Sequence, residues 1–358
     1  MKIPILTDTH FGIRNDSSLF LDYFMRFFNE VFFPYIEENN ISTVIHAGDI
    51  LDRRKYVNFN TLNRVRTEFF QQLFEHSCGS AFSVVMHCIP GNHDTYFKNT
   101  NDINCMEEIF SKQYPNNFIY YDKPAVVNLG GMDIALLPWI SKDNEEESLE
   151  FIKTASASWL VGHLELKGFE VLRGVVHDFG MDHKIFNRYE QVLSGHYHVK
   201  NQKDNVKYLG SPYQMTFNDA GDIKGFWVID TETRSLEFIE NPLTMFHVIN
   251  YDDSNNDYEN ANEYCKKFSG KYVKIIVTEK TKPHVLDGLV DAMYGEGVHN
   301  LTVIEDVDST TTSESSEGDL NKSTIELLVD DIKSNTKIKN QERIQKLVKE
   351  LYLEALRT

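Results

Sequence analysis

Several familiar patterns are missing from this 358-residue chain. No apolar run is long enough to span a bilayer, which argues against a membrane-spanning helix. No basic segment with a cleavable apolar stretch precedes the first strand-like run at 3–6, so an untargeted chain is expected. The four cysteines, Cys78, Cys88, Cys105 and Cys265, have no Cys-x-x-Cys spacing. That argues against a zinc knuckle and for free thiols in a reducing compartment. No Gly-x-x-x-x-Gly-Lys-Ser/Thr loop occurs, so any ATP dependence must come from another subunit. Positive charge is scarce too: 36 Lys and Arg face 54 Asp and Glu, a formal charge of −18. Bulk electrostatics therefore cannot coat a polyanion. The deficit is uneven, however, because residues 305–331 hold nine acidic residues against the single Lys322. An acidic tail leaves a distant site free to meet DNA, and bound metal ions would add positive charge there.

What is present is an alternation of strands and helices. A strand over 2–6 precedes a helical pattern over about 18–38, with Phe20, Phe24, Phe27, Phe28 and Val31 at helical spacing. Strand 41–45, helix 60–75, strand 81–86 and helix 103–112 continue it. From residue 117 the texture turns β-rich, with strands expected over 118–120, 125–129, 132–137, 159–162, 191–194, 206–209 and 226–230. An α/β β-sandwich flanked by helices accommodates this better than one doubly wound sheet. Residues 246–305 form a small β-α-β-α-β unit and 306–322 an acidic polar linker. Two amphipathic helices fill 323–358, the first opened by the capping box Ser323-x-x-Glu326. Their apolar residues, among them Ile325, Leu328, Ile344, Leu347 and Leu351, suit docking into a partner's groove or packing on the chain's own core.

Five short motifs follow apolar strands in order: Asp8-x-His10, Gly48-Asp49-x-x-Asp52, Gly91-Asn92-His93-Asp94, Gly162-His163 and Gly195-His196-x-His198. Each alone is commoner as a turn or a surface pair, but together they supply a full metal-ligand set. Residues two apart at a strand end point the same way, so Asp8 with His10, and His196 with His198, can each grip an ion. Asp49 can bridge two ions through its two oxygens. Two cations roughly 3.5–4 Å apart can clamp a phosphoryl oxygen and generate a nucleophile for in-line attack. Asn92 offers a neutral oxygen, His93 a proton donor or phosphate contact, and Asp94 a carboxylate to orient the histidine. Arg53, Arg54 and Lys55 stand where a phosphate backbone would pass, with Lys98 and Lys123 as weaker candidates. Tyr96 and Phe97 read either as a wedge against a base or as core aromatics.

Over roughly the first 245 residues these motifs resemble the calcineurin-like metallophosphoesterase superfamily, and within it the SbcD-type DNA repair nucleases, phage members included. The resemblance extends to Gly48-Asp49-Ile50-Leu51-Asp52-Arg53-Arg54-Lys55, to Tyr208-Leu209-Gly210-Ser211-Pro212 and to Gly225-Phe226-Trp227. The Asp after His93 fits these nucleases, where phosphoprotein phosphatases typically carry Glu. The resemblance implies a four-layer sandwich with helices outside it. It implies one ion on Asp8, His10, Asp49 and His198, and a second on Asp49, Asn92, His163 and His196. His93 would contact the scissile phosphate and help protonate the leaving 3′ oxygen, with Asp94 orienting its ring. Asp52 would cap a helix rather than bind an ion. Mn²⁺ is the favoured metal, with Mg²⁺, Fe²⁺ and Zn²⁺ as alternatives.

Carried further, the resemblance implies exonuclease action on duplex DNA ends and endonuclease action on single strands, serving DNA recombination, repair and replication. It also implies an SbcC-type ATPase partner with a coiled coil, and the cytoplasm of a phage-infected bacterium as the location. The unit at 246–305 would be a reduced capping domain that shapes DNA entry. A homodimer through the Phe-rich helix is a further expectation. The rival readings are a metallophosphoesterase for small diesters or phosphoproteins, and a non-catalytic DNA-binding scaffold that gates the ATPase.

Overall fold

The first strand is buried on both faces: Ile3, Ile5 and Leu6 of β1 (Lys2–Leu6) are all screened from solvent. Such a run belongs in the middle of a covered sheet. The chain continues through β2 (Thr43–His46), β3 (Val85–Cys88), β4 (Phe118–Tyr120), β5 (Ala125–Leu129), β6 (Met132–Leu137) and β7 (Trp159–His163). Short strands β8 (Glu170–Leu172) and β9 (Val175–Val176) precede β10 (Gln191–Gly195), β11 (Asn201–Lys203), β12 (Val206–Tyr208), β13 (Lys224–Asp230) and β14 (Ser235–Asn241). The structure is a computed structural model that describes residues 1–76, 83–258 and 260–305, with scattered positions between 332 and 348. It divides into two compact units. The first comprises Met1–Leu172, Val176–Met215 and Asp222–Leu243; the second comprises Arg173–Val175, Thr216–Gly221 and the described residues from Thr244.

The first unit contains two six-stranded mixed sheets, in the orders β14-β13-β1-β2-β3-β4 and β11-β12-β10-β7-β6-β5. Alternate residues of both sheets, including Ile3, Ile5, Ile45, Ile134, Leu136, Val161, Leu193 and Ile229, meet in one apolar core. This is the sandwich expected from the strand pattern. Parallel registers set Leu6 opposite His46 and His46 opposite Cys88 in one sheet, and Gly195 opposite His163 in the other. The loops leaving β1, β2 and β3 therefore start level with one another, as do those leaving β7 and β10.

Phenylalanines cover the outer face of the first sheet. The helix Ser18–Phe27, which continues in helical turns to Glu38, brings Phe27 and Phe32 to 6.2 and 5.2 Å from the ring of Phe226 on β13. The helical run that starts at Phe59 adds Phe69, 4.5 Å from Phe28, and Phe70, 5.8 Å from Phe118 on β4. Burying each ring stabilises the fold by about 1.5–3 kcal/mol. The phenylalanines of this helix are thus spent on the chain's own core, since Phe20, Phe24, Phe27, Phe28, Phe32 and Phe33 are all buried, and its exposed face carries Asp22, Arg26, Asn29 and Glu30. The cap of the second run is also not Asp52. Asn58 Oδ1 accepts from the backbone N–H groups of Asn60 and Thr61.

Other boundaries shift for local reasons. The strand expected over 81–86 is β3 at Val85–Cys88, where His87 is anchored by a 2.8 Å bond between its Nδ1 and Tyr121 OH. Residues 81 and 82 lie outside the described residues. The helix expected from 103 starts at Met106, because Asn104 Oδ1 already accepts from Glu107 N. In the second unit, β15 (Phe246–Asp252), β16 (Tyr272–Glu279) and β17 (Asn300–Glu305) form a parallel sheet in that order. Parallel neighbours need crossovers, supplied by the helices Ala261–Cys265 and Pro283–Gly295. Tyr251, Val273, Ile275, Leu286, Leu289 and Met293 form its core. Of the tail residues, Ile325, Leu328 and Leu351 lie outside the described residues, Ile344 is half-buried and Leu347 is exposed. Among the described residues no helix is long and apolar enough to cross a membrane.

Candidate metal centre

Four residues at the strand ends have left-handed backbone: Asp8 (φ 53°), His10 (φ 41°), Asp49 (φ 58°) and His196 (φ 90°). Non-glycine residues adopt this conformation only when the surroundings impose it, and such strain gathers at functional sites. Here the imposing bonds run between loops, with Asp8 N donating to Gly48 O and His10 N to Asp49 O. Close approach explains two of the motif glycines. A Cβ at Gly91 would lie 2.2 Å from Asp49 Oδ1, and one at Gly195 would lie 2.0 Å from Thr7 Oγ1.

These loops bring the motif side chains together around Asp49. On one side, His10 Nε2 lies 3.1 Å from His198 Nε2, 3.8 Å from Asp8 Oδ1 and 3.6 Å from Asp49 Oδ2. On the other, His163 Nε2 lies 3.3 Å from Asp49 Oδ2 and 3.1 Å from Asn92 Oδ1. Three groups have ligand atoms all within 4.8 Å of one another: Asp8, His10 and His198; His10, Asp49 and His93; and Asp49, His163 and His196.

The donor set fits divalent cations. Asp8 and Asp49 are almost wholly buried, and among the described residues no Lys or Arg forms an ion pair with either. Buried carboxylates without such compensation are costly. Burial, aided by the neighbouring His93, keeps His10 well below its ordinary pKa and hence in the neutral, ligating form. Burial opposes charge on His163 as well, but the Asp49 carboxylate prevails and lifts its pKa to about 9. An ion bound there would displace that proton. Burial likewise works against charge on Asp49, yet His163, His93 and His10 hold it well below the usual carboxylate range. The bond between His163 Nδ1 and Ala47 O, 2.8 Å, leaves Nε2 directed at Asp49. Imidazole nitrogens with carboxylate and amide oxygens suit Mn²⁺, Fe²⁺ or Zn²⁺.

The Gly91–Asp94 loop differs from expectation in one respect. Asp94 does not orient His93. Its Oδ2 accepts from Asp49 N (2.6 Å) and Gly91 N (2.9 Å), and its Oδ1 accepts from Ile50 N (2.9 Å), Leu51 N (3.4 Å) and the Cys105 thiol. The His93 ring is held instead by Nδ1 bonding the Asp52 carbonyl at 2.5 Å. A carboxylate so enclosed by N–H groups has no lone pair directed at a neighbouring ring. Burial and the Asp49 charge raise Asp94 to about 6. The Asp52 carboxylate faces His10 Nδ1 at 3.6 Å.

The basic and aromatic candidates separate. Arg53 is committed internally, to Asp16 at 2.7 Å and Asn15 at 2.8 Å. Arg54 reaches Thr95 Oγ1 at 3.4 Å. Lys55 stands 5.8 Å from the Tyr96 ring, and Lys98 and Lys123 are exposed. Tyr96 and Phe97 meet edge to face at 4.7 Å with both rings exposed, so neither is a core residue.

Sequence reasoning overlooked three neighbours of the site. Trp139 sets its ring 5.1 Å from His196 and 6.0 Å from His163. Thr7 Oγ1 donates to Asp8 Oδ2 at 2.6 Å. The buried Lys224 Nζ donates to the His198 carbonyl at 2.8 Å. Trp139 had a signal, since it closes an apolar strand just as the motif histidines do. Lys224 had none, because its partner is a backbone carbonyl 26 residues away.

Residues 1–200 match the family described as Calcineurin-like phosphoesterase. The chain is 35% identical over 317 residues to Exonuclease subunit 1 of Enterobacteria phage T4, covering 88% of each sequence. It is 23% identical over 295 residues to the SbcD component of the SbcCD nuclease of Staphylococcus saprophyticus, covering 71% of this chain and 73% of that one. Among solved structures, a novel archaeal phosphodiesterase aligns at 17% identity and a TM-score of 0.32, over 67% of this chain and 100% of its own.

Proposed function

Because the chain belongs to the calcineurin-like phosphoesterase family, we propose that it is a two-metal-ion DNA nuclease, an exonuclease on duplex ends and an endonuclease on single strands. The observation that carries this reading is the convergence of five histidines, Asn92 and the two buried carboxylates Asp8 and Asp49 on one centre. Asp8, His10, Asp49 and His198 would hold one ion; Asp49, Asn92, His163 and His196 would hold the other. Bound divalent ions, Mn²⁺ foremost, would neutralise phosphoryl charge and acidify the attacking water.

The chain's own residues supply the rest. With Nδ1 fixed on the Asp52 carbonyl, His93 has Nε2 left to contact a phosphate oxygen or to give a proton to the leaving 3′ oxygen. Asp94 holds the loops that carry Asp49 and Asn92 in one arrangement. Arg54, Lys55, Tyr96 and Lys98 are the candidates for DNA contact, and Arg53 supports the loop through Asp16.

The relatives' names, one an exonuclease subunit and the other a component of the SbcCD nuclease, support a multisubunit DNA enzyme. We assign residues 1–245 to the nuclease, 246–305 to DNA entry, 306–322 to a linker and 323–358 to docking on an SbcC-type ATPase through Ile325, Leu328, Ile344, Leu347 and Leu351. Phage DNA recombination, repair and replication in the infected cell's cytoplasm is the setting.

The test is cleavage of end-labelled duplex and circular single-stranded DNA by the purified chain with Mn²⁺, beside His93→Ala. Wild type should cut both, and the variant should be slower by about 10²–10⁴-fold with its metal content retained. Wild-type protein that binds two ions and hydrolyses a small diester, yet leaves DNA intact, would refute the reading.

A further inference from the structure

A cavity of about 380 Å³ adjoins the candidate metal centre, with His163 in its wall and Trp139, Ser141, Lys142 and Met181 around it. Its size falls within the range of small-molecule sites. Trp139 is only partly buried, and its main chain is tightly held. Its N–H donates to Pro90 O at 2.9 Å, and its carbonyl accepts from Asn101 Nδ2 at 2.8 Å and Asn144 Nδ2 at 3.1 Å. The backbone that carries the aromatic ring is therefore in place before any ligand arrives.

Two residues on, Ser141 is 5% exposed, and its Oγ has no hydrogen-bond partner although its own N–H is satisfied by Asn144 Oδ1 at 2.8 Å. That hydroxyl is itself sealed from solvent, so Ser141 closes the wall and offers no contact to a ligand. Exposed Lys142 brings one cation to the wall, but Glu145 and Glu165 bring two carboxylates, which disfavour a phosphate and leave the space to an uncharged group. A flat π surface in a cavity whose carboxylates repel phosphate, one histidine away from a phosphoester-cleaving centre, suits the uncharged base of a nucleotide.

We infer that this cavity receives the unstacked base of the nucleotide next to the phosphodiester being cut, with Trp139 as the stacking surface. The inference rests on the DNA-nuclease reading and adds to it a requirement for a base. Unstacking costs least at a chain end or in a single strand, so such a cavity favours those substrates. Stacking tolerates every base, which predicts little sequence preference.

The experiment compares kcat/KM with Mn²⁺ on duplexes that differ only in an abasic tetrahydrofuran residue at the 3′ or, in a second pair, the 5′ terminal nucleotide. Bis(p-nitrophenyl) phosphate serves as a base-free diester. Wild type should prefer the natural end about ten-fold at the terminus it attacks. Trp139→Leu should cut natural and abasic ends equally, whatever its absolute rate, because the ratio cancels losses in folding or metal. Trp139→Phe keeps a ring and should retain most of the preference. Equal cutting by wild type, or a full preference in Trp139→Leu, overturns the base cavity and leaves DNA cleavage standing. Hydrolysis of the small diester without cleavage of either duplex removes the nuclease reading, and the cavity's role with it.

Discussion

The phenylalanine layer and the strand-end rim of the first unit are buried to the same depth: Phe27, Phe28 and Phe32 are no more exposed than Asp8 and Asp49. Their chemistry is opposite. In the layer, rings pack on rings at 4.5–6.2 Å on right-handed helical backbone, and the phenylalanines themselves carry no polar group that needs a partner. In the rim, carboxylates and imidazoles crowd within 4.8 Å on left-handed backbone, and Asp8 and Asp49 have only histidines as cationic partners among the described residues. Burial depth thus does not distinguish a region built for stability from one built for chemistry. Backbone strain and unmet charge do.

Three substitutions sharpen or break that contrast. The largest effect should come from Asp49→Ala, which removes the side chain shared by both halves of the rim. Metal content measured by mass spectrometry should fall towards zero, and phosphodiesterase activity by on the order of a thousand-fold, since several kcal/mol of charge stabilisation leave with the ions. The near-ultraviolet circular dichroism of the aromatic layer should be unchanged. Two ions still bound per chain would disprove the bridge. Next, Phe28→Ala opens a void beside Phe69 and should cost about 3–5 kcal/mol by urea titration, with normal metal content in the folded fraction. A selective loss of metal instead would show that layer and rim are coupled.

The smallest effect is expected from Asp94→Asn, which puts an amide donor among backbone donors and should cost about 1–3 kcal/mol in the same titration. An unchanged midpoint with a depressed kcat would restore the role in which Asp94 orients His93.

Much of this was legible in the amino-acid order. Asp8-x-His10 and His196-x-His198 announced themselves as ligand-type residues just past apolar strands, although left-handed backbone rather than strand alternation aims them, and the alternation of strands and helices implied a covered sandwich. The failures share a cause. Helical spacing of Phe24, Phe27 and Phe28 reveals that a face is buried but not what buries it, and the answer was the chain's own sheet. The edge strand Ser235–Asn241 escaped because its half-exposed mixture of Leu, Phe, Ile and Glu carries no strong alternation. Asp94 sits beside His93 in the chain, but its bonds run to loop backbone 43 to 45 residues away. Neighbourhood in sequence is not neighbourhood in space. The left-handed turns at Asp8 and Asp49 are imposed by tertiary bonds and leave no mark in composition.

One consequence of the Asp94 carboxylate reaches beyond this molecule's chemistry. By clasping Asp49, Ile50 and Leu51 on one loop and Gly91 on the other, a single side chain makes two separate stretches of chain behave as one part. The exposed residues just downstream, 55–56 and 96–98, are thereby released from the duty of holding the site in shape. They are free to lengthen, shorten or change character over evolutionary time while the reactive centre stays put. A descendant of this chain can thus acquire a new clientele by redrawing those margins, without reinventing the machinery they surround.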